Sequence, residues 1–217
     1  MILKTIKLYR YDELSDEAKH RVKQWCMSDP DRSMLLTEDY RNMYLDYYFP
    51  KSRLEVQWSL GSCQGDGVNI YGELNMFDIL AYVEKWNAEE HREYGNSFEP
   101  TDLLTRDEIE TLYTYRERSG RDIDLEENHR YCYCVASRVD FVADMTDDLE
   151  YVGVTDVDQK LLAHFQENVV IPVIENLCRE MEAYGYRFLY EMDDEYVQEL
   201  CEANDWYFTE GGKFEVA

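Results

Sequence analysis

Asp66, in the run Gln64-Gly65-Asp66-Gly67, together with His129, is the best catalytic constellation that these residues offer. An aspartate can hold a metal ion or orient a histidine that takes a proton, so the chemistry would be that of a metal-dependent nuclease or hydrolase. A second reading competes with it. Gly-Asp-Gly is above all a turn, because Asp66-Gly67 tolerates positive φ between two strands. His129 lies in an alternating, tyrosine-rich stretch, where a histidine is more simply a hydrogen-bonded core group. Catalysis by Asp66 and His129 is therefore the alternative, and a non-enzymatic protein without cofactor is the leading expectation.

The remaining chemistry-bearing residues narrow the field further. Cys132-x-Cys134 lacks the two-residue spacing of a zinc knuckle or redox pair, though on a strand both thiols share one face near His129. Asp122-Ile123-Asp124 lacks the rest of a calcium loop. The sequence has no glycine-rich phosphate loop with a following Lys-Ser or Lys-Thr, no His-Glu-x-x-His and no Gly-x-Ser-x-Gly. No metal site is expected.

Charge says more. Among 217 residues, 47 are acidic and 22 basic, a net charge of −25. Residues 1–60 are balanced, residues 61–139 carry −9 and residues 140–217 carry −16. A carboxylate-rich segment cannot displace the counterions of a phosphate backbone, so direct nucleic-acid binding is not expected. A basic protein surface would instead be attracted and steered. The expected partner-binding acids are Asp147, Asp148, Glu191, Asp193, Asp194 and Glu195, with tyrosine and tryptophan as anchors. Their plainer reading is solvated helix ends, with Asp193 or Asp194 simply a helix cap.

Elements must position these groups, and 45% hydrophobic residues suffice for a core that can do so. Alternation predicts strands over residues 2–10, 54–60, 68–74 and 129–143, and a terminal hairpin around Gly211-Gly212. Ser15, Thr37, Asn75 and Thr105 read as helix N-caps, the last with Glu108 in a capping box. A long helix over about 157–190 carries an apolar stripe from Leu161 to Met181, and Pro172 should kink it. The class is α+β, a mostly antiparallel sheet against several helices, in one domain with residues 76–120 as a helical insertion. No run of about 18 apolar residues predicts a membrane span. The N-terminus lacks the continuous apolar core of a signal peptide. Cys26, Cys178 and Cys201 fall at apolar helix positions, where a thiol behaves as a small hydrophobe, and the reducing cytosol is the expected compartment.

Several landmarks carry a resemblance. They are Tyr11-Asp12-Glu13-Leu14-Ser15-Asp16-Glu17-Ala18-Lys19, the loop Ser62-Cys63-Gln64-Gly65-Asp66-Gly67, His129-x-Tyr131, Met145-Thr146-Asp147-Asp148, and the closing stretch from Glu202 to Gly212. In that order they resemble a family of small bacteriophage and prophage proteins with an antitoxin-like label or no assigned activity. Some small acidic phage proteins of this kind are anti-CRISPR inhibitors. The resemblance implies an anti-defence protein of the host cytoplasm that blocks a CRISPR effector nuclease with a nucleic-acid-mimicking surface. An antitoxin neutralising a basic toxin is the third expectation. Residues 76–120 depart from the family's smaller or aromatic-rich middle, since they read as two helices.

Overall fold

The computed structural model describes residues 6–61, 65–86, 89–91, 99–127 and 139–215. In chain order the elements begin with α1 (Asp16–Met27), α2 (Arg32–Tyr40), α3 (Asp46–Tyr48), β1 (Arg53–Ser59), β2 (Gly67–Leu74) and α4 (Met76–Lys85). They continue with α5 (Arg106–Ser119), β3 (Ile123–Leu125), α6 (Val142–Tyr151), α7 (Gln159–Phe165), α8 (Ile171–Tyr190), α9 (Asp194–Ala203), β4 (Tyr207–Phe208) and β5 (Phe214–Glu215). The fold is α+β with antiparallel sheets, as the patterning predicts. The chain forms two compact units, one of Thr37–Gly185 and one combining Met1–Leu36 with Tyr186–Ala217.

The larger unit is built on a three-stranded sheet of order β1-β2-β3. Leu54, Val68, Ile70 and Leu74 are buried on it, and Ile123 and Leu125 extend the apolar surface. Asn75 caps α4 by accepting the Phe77 N–H at 3.0 Å, and Met76, Ile79, Leu80 and Val83 are buried along that helix. Thr105 and Glu108 form the reciprocal capping box of α5, which ends on Gly120 in the left-handed region. Helix α4 packs on α5, α5 on α6 and α6 on α7. A close backbone approach explains Gly185: a Cβ there would run into the Tyr40 hydroxyl, which donates to the Met181 carbonyl at 2.6 Å.

The smaller unit joins the two chain ends. Ala18, Val22 and Cys26 of α1 share a buried cluster with Tyr11, Leu14, Val197, Cys201 and Phe208. Trp25 stacks on Phe214 at 5.0 Å and meets Trp206 edge-on at 4.9 Å. The β4–β5 hairpin turns through Gly212 at φ 78°, where a Cβ would collide with the Ala18 carbonyl.

Local expectations differ from the structure at four places. Residues 1–5 lie outside the described residues, and the rest of the expected 2–10 strand contributes one bridge, Tyr9 to Phe208. Thr37 lies inside α2 instead of capping a helix, and its hydroxyl accepts the Trp58 indole N–H at 3.0 Å. Of the alternating stretch 129–143, residues 129–138 lie outside the described residues. Phe141 starts α6 and Ala143 belongs to it, because Phe141 packs edge-on against Phe165 at 6.1 Å. The long helix starts at Gln159, and its irregularity is a π-turn over Gln166–Val170. Pro172 has no N–H for the Asn168 carbonyl, and the wider turn sits where the ladder is broken.

Among the described residues no helix is long and apolar enough to cross a membrane.

Candidate functional site

The Asp66 turn has a structural task. Gly65 and Gly67 both take positive φ, and the Ser59 hydroxyl donates to Asp66 Oδ1 at 3.1 Å across the start of the β1–β2 pair. Burial, and secondarily the charge of Asp66, push the Glu182 carboxyl above the usual carboxylate range. Gln64 and His129 lie outside the described residues. Among the described residues no cluster of three or more His, Cys, Asp or Glu side chains could hold a metal ion.

The six expected partner-binding acids divide between the units. Asp147 and Asp148 sit on α6, whereas Glu191, Asp193, Asp194 and Glu195 surround the start of α9. Three of the six have structural work. Asp148 is half-buried and ion-paired with Arg121, which also reaches Asp144 at 3.3 Å. Asp193 is the α9 N-cap, accepting the Tyr196 N–H at 2.7 Å. Asp194 pairs with Lys23 at 2.6 Å and accepts the Tyr11 hydroxyl at 2.8 Å. Those hydrogen bonds, Lys23 first, hold the Asp194 carboxyl below its ordinary value, while burial and the acceptor push Tyr11 up.

What remains is exposed acid beside exposed tyrosine. Asp147 and Tyr151 stand one turn apart on α6, both exposed, and Tyr151 is 92% exposed. Around the start of α9, Glu191 and Glu195 lie in sequence between Tyr190, 54% exposed, and Tyr196, 49% exposed. Patterning identified the acids, but helix registry is needed to see the tyrosines join them.

A second constellation was not foreseen from the sequence. His91 Nδ1 lies 2.7 Å from Glu180 Oε1, with both side chains 3% exposed or less. His91 stacks on Trp86 at 3.9 Å and 11°, and its Nε2 faces the Tyr82 hydroxyl at 3.5 Å. Burial, with the negative charge of Glu180 next, raises the Tyr82 phenol far above its ordinary value, so Tyr82 stays protonated. One signal was available: Glu180 stands beside Met181 on the apolar face of α8, where an acid needs a buried partner. Tyr82, Trp86 and His91 form one end of a cleft of about 430 Å³ that also takes in Tyr48, Lys51 and Lys85.

No family model matches the chain, and neither a curated protein nor a solved structure is significantly similar to it.

Proposed function

We propose that the protein is a non-enzymatic inhibitor that binds a basic, nucleic-acid-handling protein through acidic, tyrosine-anchored surfaces. The observation that carries this reading is the repeated pairing of exposed carboxylates with exposed tyrosine, at Asp147 with Tyr151 and at Glu191 and Glu195 with Tyr190 and Tyr196. Residues 140–217 supply 20 acids against 4 basic residues, so few neighbours neutralise them. Carboxylates at a lysine- and arginine-lined channel replace phosphates, and a projecting tyrosine adds apolar area with little lost rotamer freedom. The phage-protein resemblance points to a CRISPR effector nuclease in the host cytoplasm as the target.

The test is inhibition of a purified CRISPR effector nuclease, with binding measured at about 50 and about 300 mM salt. Binding should weaken steeply with salt. The variant Asp147→Lys/Tyr151→Ala, or its counterpart Glu191→Lys/Glu195→Lys, should cost at least about tenfold in affinity, roughly 1.4 kcal/mol. Salt-independent inhibition, or inhibition untouched by both variants, would overturn the reading. Capture of a small basic toxin by the same surfaces would make the protein an antitoxin instead.

A further inference from the structure

The cleft beside α4 is a small-molecule site in its dimensions and its lining. Its volume of about 430 Å³ falls within the roughly 300–1,000 Å³ of ligand pockets. Phe77, Ala81 and Lys85 follow one row along the helix, and Asp78, Tyr82 and Trp86 follow the adjacent row. The groove is therefore about 12 Å long at 1.5 Å per residue.

Its two ends differ in chemistry. At the Trp86 end, Tyr48 meets Tyr82 edge-on at 5.1 Å, Tyr82 meets Trp86 at 5.5 Å, and the His91 ring lies flat on Trp86. Glu180 fixes the orientation of that imidazole from behind. Half-buried Trp86 and Tyr48 present aromatic surface to the cleft, on which a flat ring can stack. At the other end, the Lys51 ammonium lies 5.6 Å from the Phe77 ring. Lys51 and Lys85 form no ion pair among the described residues, in a chain with more than twice as many acids as bases.

Charged groups are spread along the groove. The lining holds two carboxylates, exposed Glu90 beside His91 and buried Asp78, which already accepts the Lys51 N–H at 2.7 Å and the Ser52 hydroxyl at 2.8 Å. The exposed Lys51 ammonium offers an anionic group a contact at the Phe77 end. Acids outside the lining are screened beyond a Debye length of about 8 Å, whereas Lys51 acts at contact. A groove about 12 Å long has room for a ring at the Trp86 end and a charged group on a sugar-length spacer toward Lys51.

We propose that this groove binds a small planar heteroaromatic anion of nucleoside-monophosphate size, its ring held at Trp86 and its anionic group at Lys51. The site does not depend on the acidic surfaces acting on a partner.

Calorimetric titration with AMP and with adenosine tests it on the full chain. AMP should bind saturably with a Kd between about 10 μM and about 1 mM, at least about fivefold tighter than adenosine. Lys51→Gln, an exposed change, should weaken AMP about fivefold and leave adenosine unaltered. Ala81→Phe, which fills the groove from α4, should abolish both while circular dichroism shows the helical fold retained. Absence of saturable AMP binding up to about 10 mM would overturn the proposal. So would AMP binding that neither variant changes.

Discussion

Glu180 Oε1 lies 2.7 Å from His91 Nδ1, with both side chains almost wholly withdrawn from water. The two residues come from α8 and from the stretch after α4, 89 positions apart. Their contact braces the ring-rich end of the α4 cleft from the inside.

Removing one partner of such a pair leaves the other desolvated and uncompensated. Glu180→Ala should therefore destabilise the protein by about 3 kcal/mol in urea unfolding followed by tryptophan fluorescence. The double change His91→Leu/Glu180→Met replaces both polar groups with apolar ones and should recover most of that loss. A double variant as unstable as the sum of its parts would show that the pair is not the unit of stabilisation.

Gly211 and Gly212 should part company on substitution. Gly212 has φ 78° and no room for a Cβ beside the Ala18 carbonyl, so Gly212→Ala should cost about 2 kcal/mol or more. At Gly211 the nearest atom to a Cβ is the end of the Arg21 side chain at 3.4 Å, which can move. Gly211→Ala should leave the melting temperature nearly unchanged.

Glu182 links stability to pH. Its carboxyl is raised in the folded protein, by burial first and by Asp66 second, so the folded state holds that proton more tightly than the unfolded chain. The sign follows: its contribution favours folding at acid pH and is lost as pH rises through the carboxylate range toward the raised folded value. Glu182→Gln should thus stabilise the protein at neutral pH and do less at about pH 4. Asp66→Asn should lower the Glu182 titration midpoint in carbon-detected NMR; an unmoved midpoint would remove Asp66 as a cause.

Asp193 and Asp147 should differ in what their removal costs the fold. Asp193→Ala deletes the cap on the Tyr196 N–H and should cost about 1 kcal/mol of stability. Asp147 is exposed on α6 without a partner among the described residues, so Asp147→Asn should leave stability within about 0.5 kcal/mol. Its effect should appear only in binding to a basic partner.

Much of the architecture could be read from short-range pattern. The Thr105–Glu108 capping box, the Asn75 cap, the β1–β2 alternation and the Gly120 stop each involve neighbours within a few positions, where local sterics and hydrogen bonding dominate. The π-turn before Pro172 follows equally from a missing N–H. Thr37 and Phe141 misled because each was claimed by a distant side chain, Trp58 and Phe165. Local propensity carries no information about such a claim.

Amino-acid order was enough to establish the α+β class, the acidity and the caps at Ser15, Asn75 and Thr105, because charge and periodicity are additive along the chain. Folding alone decided which acids are spent on Arg121 and Lys23, and which stay exposed beside Tyr151 and Tyr196. It also decided that His91, set among charged residues in Glu89-Glu90-His91-Arg92-Glu93, is buried against Glu180. The reason is that desolvation and pairing depend on what another segment brings within a few ångströms, a property of three-dimensional neighbours that one-dimensional spacing does not encode.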